Sequence, residues 1–316
     1  MPPRRGVWFF PDVDGPTILR TIERAEALGL DELWLGDEGP ARDPFAIPAA
    51  AATRTQRIAL GVAVTNPYLR HPAVTAATAL TIHELSGGRM ILGLGPGGNI
   101  ALGPAQVTRV APLKQTRRAL RIIRAVARRE ATEGYTPPPH ALAAPDLPIF
   151  IGSRGEAINR FASEAADGVF LGGIPRSRLE PTVAWARWRR PIAVSVYPSA
   201  VFESRRLEVV RPRMIYALLD APEVTRAALG VCVDDARAAA TALANGDDGP
   251  ARRLIDDRLL DELVMHGSPE AVGHELAQRV RSLQPASIGV ALLTDDPLQT
   301  LEPAAEALAV AARELD

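Results

Sequence analysis

Two adjacent acids, Asp37 and Glu38, come directly after the short apolar run Leu33–Leu35 and the glycine Gly36. Parallel α/β folds carry functional side chains at the carboxyl ends of strands, and a carboxyl group there can act as a general acid or base. Exposed loop acids are equally common at such positions. Glu38, with Asp37 beside it, is therefore a candidate acid–base residue, and a surface role stays open.

A glycine-rich turn, Gly93–Gly98, follows an apolar run and formally matches the dinucleotide-binding pattern G-x-G-x-x-G. That pattern requires a helix that opens at once and an acid about twenty residues further on. Neither is evident here, so a Rossmann site is not indicated. The glycines Gly95, Gly97 and Gly98 still permit a ligand to approach the backbone closely, and a tight turn without a ligand is the alternative.

A second turn, Gly152-Ser153-Arg154-Gly155, lies between an apolar run and a helical segment. Free backbone N–H groups at a helix start favour an anion, and Arg154 adds a charged fork. Ser153 can donate a hydrogen bond. These residues alone support phosphate binding and simple helix capping about equally.

The remaining reactive side chains follow no pattern that is typical of a metal or hydrolase site. The five histidines lack metal-ligand spacing, and the sequence has no H-x-x-x-H, no cysteine cluster and no G-x-S-x-G. We therefore expect no metal. His71 precedes Pro72 at the start of a helical segment, where a capping or surface role competes with a role at the site.

The composition excludes several classes of partner. Lys and Arg number 36 against 37 Asp and Glu, so the net charge of −1 gives no field that attracts nucleic acid or an anionic membrane. The sequence has neither a membrane-spanning apolar run nor a signal-peptide core after Met1. One cysteine, Cys232, excludes an internal disulfide and favours a reducing compartment. We expect a cytoplasmic protein that acts on a small molecule.

Eight short apolar runs, mostly followed by helical segments, must position these turns. They are Val7–Phe10, Leu33–Leu35, Ile58–Val64, Met90–Leu94, Pro148–Ile151, Gly168–Leu171, Ile192–Val196 and Ser287–Leu293. Such runs suit parallel strands buried on both faces. Eight repeats predict a closed (β/α)8 TIM barrel, an α/β fold, with an open doubly wound sheet as the alternative. We expect one domain, 1–316, with a mostly helical insertion after strand seven at about 198–265. The polar and glycine turns would then meet at one mouth.

Three stretches resemble the luciferase-like flavin and deazaflavin oxidoreductases, and most of all the coenzyme F420-dependent methylenetetrahydromethanopterin reductase type. They are Val64–Ala73 (VTNPYLRHPA), Glu84–Arg89 (ELSGGR) and Leu92–Gly97 (LGLGPG). The Ser-Gly-Gly-Arg element marks the wider superfamily, and the Thr-Asn-Pro-Tyr segment favours the deazaflavin branch. The resemblance implies a barrel with an insertion, a homodimer, and F420, or alternatively FMN, at the carboxyl ends of the strands.

The resemblance also implies roles for single residues. The segment beside the deazaflavin ring would hold a cis peptide bond between Ala63 and Val64. Backbone close to the cofactor would come from two segments, and its phosphate would lie on a third. The residues concerned are Ala63, Val64, Thr65 and Asn66, then Gly95, Gly97 and Gly98, and for the phosphate Gly152, Ser153, Arg154 and Gly155.

The chain departs from the reductase pattern at the expected substrate. Trp8 stands where the reductases carry a glutamate in strand one, and Asp37-Glu38 stands where many relatives read Asp-His. An indole cannot perform the acid–base work of a carboxylate. We therefore expect Trp8 and His71 in the substrate pocket. Glu38 is the candidate that replaces the missing acid.

These observations leave three candidate functions for the protein. The first is an F420-dependent oxidoreductase that transfers a hydride to or from a small organic substrate. The second is an FMN-dependent monooxygenase of the same superfamily. The third is a non-catalytic barrel that binds a flavin-like ligand or serves as a partner subunit, which the replacement at Trp8 keeps open.

Overall fold

Ten strands form one sheet in the computed structural model, which describes residues 2–39 and 41–316. The strands are β1 (Arg4–Phe9), β2 (Glu32–Leu35), β3 (Ala59–Thr65), β4 (Met90–Leu94), β5 (Ile149–Ile151), β6 (Gly168–Gly172), β7 (Ala193–Tyr197), β8 (Ser199–Val201), β9 (Val264–His266) and β10 (Ser287–Leu292). Nearly every residue of β2 to β7 and β10 is buried, as expected of strands that are covered on both faces.

Eight of these strands close into the predicted (β/α)8 barrel. Strands β1 to β7 pair in sequence order, β7 pairs with β10, and β10 pairs with β1, all in parallel. The register from Arg4 with Ser287 to Trp8 with Ala291 closes the ring. The open doubly wound sheet, the alternative from sequence, is therefore wrong, because an open sheet leaves its first and last strands unpaired.

Fifteen α-helices accompany the sheet in the part of the chain that the structure describes. They are α1 (Gly15–Ala27), α2 (Ala46–Ala52), α3 (Pro72–Leu85), α4 (Asn99–Leu102), α5 (Pro112–Arg128), α6 (Glu156–Ala165), α7 (Leu179–Ala186), α8 (Ser204–Val210), α9 (Ile215–Leu219), α10 (Glu223–Leu229), α11 (Val233–Ala244), α12 (Gly249–Leu254), α13 (Asp257–Leu263), α14 (Pro269–Val280) and α15 (Pro297–Leu315). Several begin with a side-chain cap and a proline in the first turn. Ser268, for example, accepts from Ala271 N at 3.2 Å, and Pro269 follows it at the start of α14.

The segment between β7 and β10 holds helices α8 to α13 between two short strands. Strand β8 pairs with β10 at Ser199 and Ala291, and β9 pairs with β8, so the sheet continues from the barrel into this insertion. A second apolar cluster, including Val210, Ile215 and Leu260, packs its helices together. The two strands were missed from sequence because each has three residues, too few to show a period.

The Ser86-Gly87-Gly88-Arg89 element is a structural joint. Gly87 and Gly88 adopt φ of +63° and +92°, which lets the chain leave α3 and enter β4 within a few residues. The Arg89 guanidinium donates to five oxygens of three segments: Ser86 O, Thr55 Oγ1, Ile58 O, Ala52 O and Thr55 O, at 2.8–2.9 Å. This part of the family resemblance therefore holds helices α2 and α3 to the barrel.

Candidate functional site

A cavity of about 1640 Å³ lies where the loops after the strands meet the insertion. Loops that follow six strands of the barrel contribute to its wall, together with residues of α8, α9, α10, α11 and α13 in the insertion. Lining residues include Trp8, Phe10, Asp12, Asp37, Glu38, Ala63, Val64, Gly97, Gly98, Gly152, Ser153, Arg154, Gly155, Phe170, Gly172, Met214, Ala217 and Asp220. Cavities that hold a single small ligand are commonly about 300–1,000 Å³, so this one has room for a cofactor and a substrate together.

Trp8 forms an apolar wall of this cavity. Its indole Nε1 donates to the carbonyl oxygen of Ala63 at 2.6 Å, and its ring meets Phe10 edge to face with centroids 4.4 Å apart. The Ala63–Val64 peptide bond is cis, as predicted, and the β3–β4 register shifts between Val62 and Thr65. Because its only polar atom is bonded to the backbone, Trp8 offers the cavity an aromatic surface alone.

Three carboxyl groups of the barrel loops line the same cavity: Asp12 after β1, and Asp37 and Glu38 after β2. Burial raises the pKa of Glu38 to about 8, and the neighbouring Asp12 adds to the rise through its charge and a hydrogen bond, followed by the charge of Asp37. Asp37 Oδ1 accepts from Gly39 N at 3.1 Å. Glu38 therefore carries its proton at neutral pH and can donate it to a bound molecule.

Two glycines, at the ends of the neighbouring strands β4 and β5, pack against the side chain of Val64. A Cβ on Gly95 would overlap the Val64 side chain and the carbonyl of Gly152, and a Cβ on Gly152 would overlap Val64 as well. Gly97 and Gly98 line the cavity, whereas Gly95 lies behind Val64. The glycines of these turns thus let three strands approach closely and leave Val64 as the surface that a flat ligand would meet.

The turn Gly152–Gly155 lines the cavity at the start of α6. Ser153 Oγ accepts from Gly155 N at 3.1 Å, so the turn is held by its own hydroxyl group. Arg154 Nη1 donates across the cavity to Ala217 O of helix α9 at 2.9 Å. Burial lowers the pKa of Arg154, and the carboxylate of Asp220 works against that fall. The guanidinium is thus shared between the turn and the insertion.

Four predicted residues lie outside the cavity lining. Thr65 and Asn66 are about 1% exposed, and Asn66 Oδ1 accepts from Tyr68 N and Leu69 N at 3.1 Å. Gly95 lies behind Val64. His71 caps helix α3, with Nδ1 accepting from Ala73 N at 3.3 Å, and it is exposed. Asn66 therefore shapes the loop after β3, and His71 takes the capping role that its position before Pro72 suggested.

Several lining residues were not found from the sequence. Asp12 follows a strand just as Glu38 does, so the rule that found Glu38 applies to it equally. Phe170 lies within β6 and faces the barrel interior. The insertion residues Met214, Ala217 and Asp220 carry no local signal, because only the folding of α9 over the mouth brings them to the site.

Within residues 2–39 and 41–316 no cluster of three or more metal-binding side chains occurs. None of the helices described is both long and apolar enough to cross a membrane.

The sequence model of a known family, described as luciferase-like monooxygenase, matches residues 11–284. The chain belongs to this family. It is 27% identical over 311 residues to the 5,10-methylenetetrahydromethanopterin reductase of Archaeoglobus fulgidus, covering 90% of each chain. The resemblance inferred from the sequence is thereby confirmed, and the homologues are oxidoreductases.

Two solved structures share the fold. The F420-dependent tetrahydromethanopterin reductase of Methanopyrus kandleri superposes with a TM-score of 0.81 at 22% identity, covering 96% of this chain and 98% of that one. An F420-dependent secondary alcohol dehydrogenase, solved with an F420–acetone adduct, gives 0.73 at 14% identity, covering 98% and 99%. Both likenesses show that the barrel with its insertion is common to these proteins.

Proposed function

We propose that the protein is a coenzyme F420-dependent oxidoreductase that transfers a hydride to or from a small organic substrate. One observation carries the proposal. The Ala63–Val64 segment, the Gly97-Gly98 turn and the Gly152–Gly155 turn line a single cavity, together with a protonated acid, Glu38. Two solved structures that are named for F420 share this fold, and the sequence is 27% identical to that of the 5,10-methylenetetrahydromethanopterin reductase of Archaeoglobus fulgidus.

The residues present fit such a cofactor. Gly95 and Gly152 exclude side chains around Val64, so a flat ring system has a smooth surface to lie against. A Cβ on Gly155 would have only ordinary contacts, with Ser153 Oγ at 3.7 Å, which leaves room beside the turn for a phosphate. Arg154 would then supply a charged donor. The bound deazaflavin would supply or accept the hydride, and the protein would position it.

Side chains of the protein itself would transfer the proton and exclude water from the site. Glu38 would give its proton to the reacting atom of the substrate, or take it back in the opposite direction. Burial, together with the charges of Asp12 and Asp37, raises the pKa of Glu38 to about 8 and so keeps that proton on Glu38 at neutral pH. Trp8 and Phe10 would exclude water from the same region, because neither ring offers a free hydrogen-bonding atom.

An FMN-dependent monooxygenase is the second candidate, because the family model that matches most of the chain is described as luciferase-like monooxygenase. Both readings use the same cavity and differ in the ring system and in the need for dioxygen. A non-catalytic barrel is the third reading, and it requires that neither cofactor supports turnover.

Fluorescence quenching in separate titrations with F420 and FMN tests these readings. We expect F420 to bind with micromolar affinity and FMN not to bind. Arg154→Ala should weaken F420 binding roughly tenfold, since a charge-assisted hydrogen bond to the phosphate is lost. Arg160→Ala is the matched control, because Arg160 pairs with Glu156 on helix α6 outside the cavity.

Binding of FMN alone would favour the monooxygenase, and binding of neither would remove both enzyme readings. Equal affinities for F420 in the Arg154 and Arg160 variants would remove Arg154 from the phosphate site.

We further propose that the chain is a single barrel domain with its helical insertion, that it resides in the cytoplasm, and that it forms a homodimer through the outer face of α3. That face carries Val74, Thr78, Thr81 and Leu85 at spacings of four, three and four, with Val74 54% and Leu85 49% exposed. An uncharged stripe of this kind can pair with its own copy about a two-fold axis.

Thr81→Arg should therefore yield a monomer by light scattering, because it places a charge at the centre of the stripe. Thr241→Arg is the control, since Thr241 is an exposed threonine of α11 with the same hydroxyl bond to the carbonyl four residues before it. A Thr81→Arg dimer of unchanged stability would show that the interface lies elsewhere.

A further inference from the structure

A carboxylate of the insertion is held by the loop after strand β4. Asp220 follows helix α9 and accepts from Asn99 three times: from the backbone N at 3.1 and 3.3 Å and from Nδ2 at 2.7 Å. Its side chain is only 14% exposed. A Cβ on the neighbouring Gly98 would lie 2.9 Å from Asp220 Oδ2, so the carboxylate lies directly on the Gly97-Gly98 turn.

Two arginines of the barrel loops complete the surroundings of this carboxylate. Arg109 Nη1 lies 3.9 Å from Asp220 Oδ1 and donates to Gly97 O at 2.8 Å. Arg154 donates to Ala217 O, three residues before Asp220, and feels the charge of Asp220. The barrel therefore presents an amide, a backbone N–H and the Arg109 guanidinium to a single anion that the insertion supplies, and the Arg154 guanidinium feels the charge of that anion.

We propose that Asn99, Arg109 and Arg154 form an oxyanion subsite at the mouth of the cavity, and that Asp220 occupies it in place of a phosphate or carboxylate group of a ligand. The donors are of the kind that bind phosphate and carboxylate alike. Because Asp220 is tethered through α9, a ligand anion and the insertion compete for the same groups. Entry of the anion then displaces the carboxylate and loosens the contact of α9 with the barrel.

The consequence for the cofactor rests on the proposed function. A phosphate on the Gly152–Gly155 turn would pair with Arg154, which already feels the charge of Asp220 and is bonded to Ala217 O of the same segment. Two like charges beside one guanidinium oppose each other. Asp220 therefore sets how tightly a phosphate-bearing cofactor binds, and it ties that binding to the position of the insertion.

Inorganic phosphate and acetate, each titrated by calorimetry into the full-length protein, test the subsite without any cofactor. Asp220→Asn keeps the shape of the side chain and removes the competing charge, so phosphate or acetate should bind roughly tenfold more tightly than to the wild type. Asp235→Asn is the control, since Asp235 is an exposed acid of α11 outside the cavity lining. The anion with the larger gain identifies the ligand group.

Asn99→Ala in the Asp220→Asn background should abolish the gain, because it removes the Nδ2 donor while both arginines remain. Affinity gained equally by Asp220→Asn and Asp235→Asn would overturn the proposal, as that outcome reflects net charge alone. If Asp220→Asn binds neither phosphate nor acetate more tightly than the wild type, the proposal is also overturned. Asp220 would then be a simple tie between α9 and the barrel. Circular dichroism of each variant separates these outcomes from loss of the fold.

A second titration connects the subsite to the cofactor. Fluorescence quenching with F420 and with a deazaflavin riboside that lacks the phosphate should show a gain in Asp220→Asn for F420 only. An equal gain for both would show that the charge acts on the ring and not on the phosphate. If neither molecule binds to any variant, the proposed cofactor fails, and the phosphate and acetate titrations still decide the subsite.

Discussion

Replacing Glu38 with glutamine should lower turnover by about 10²–10⁴-fold while F420 binds as before, because glutamine keeps the size of the side chain but has no proton to exchange. In the wild type, reduction of a substrate requires the protonated acid. Its rate should therefore hold below pH about 8 and fall as pH rises through the pKa of Glu38. The rate of substrate oxidation, which requires the deprotonated acid, should instead rise with pH through the same pKa. Initial rates between pH 5 and 10 measure both.

Asp12→Asn is the paired variant. Asp12 raises the pKa of Glu38 through its charge, so this change should move the limb to lower pH while turnover at pH 6 is retained. A Glu38→Gln enzyme that kept the wild-type limb would show that another group transfers the proton.

The same titration can be followed before any substrate is known. The pKa of Glu38 rises from 4.5 in the unfolded chain to about 8 in the folded one. The folded state therefore holds more protons than the unfolded chain between these two pH values. The contribution of Glu38 to the free energy of unfolding is fully present below pH 4.5 and is lost as pH rises toward 8. Urea unfolding at several pH values should show a steeper fall in stability for the wild type than for Glu38→Gln.

The barrel could be predicted from the sequence because its strands are nearly continuous apolar runs, each ended by a glycine or polar turn. The same regularity located Glu38, the Gly97-Gly98 turn and the Gly152–Gly155 turn, since the carboxyl ends of parallel strands must lie on one face. The cis bond between Ala63 and Val64 followed from the family resemblance, and no residue pattern in the chain would have indicated it.

The other half of the cavity could not be predicted, because it depends on contacts between distant parts of the chain. Asp220 and Asn99 are 121 residues apart, and neither lies in a pattern that signals the other. Trp8 looked like a lost acid, yet its indole is bonded to Ala63 O and forms a wall. Arg154 was expected to face a phosphate, and it also bridges to Ala217, whose helix is only five residues long.

Aromatic side chains fill the interior of the barrel. The strands make room for them by carrying glycine, which has no side chain, at the positions that face the rings. Trp34 and Tyr197 are fully buried, and both donate to the buried carboxylate of Glu32, at 3.1 and 2.5 Å. Phe170 stacks on Tyr197 with centroids 4.8 Å apart. A Cβ on Gly61 would overlap the Trp34 indole, and one on Gly289 would overlap the Tyr197 ring. Glycine at these positions is therefore a packing requirement and not a turn signal.

Gly289→Ala should destabilise the fold by about 3 kcal/mol, at the upper end of the usual cost of overpacking, because the ring it displaces is held by Glu32 on one side and stacked on Phe170 on the other. Gly15→Ala is the control, since its Cβ would make an ordinary contact with Ile47 at 3.7 Å at the start of α1. Urea unfolding of both variants at one pH measures the difference. Equal midpoints for Gly289→Ala and Gly15→Ala would show that Tyr197 can move aside, and the barrel interior would then be looser than its packing implies.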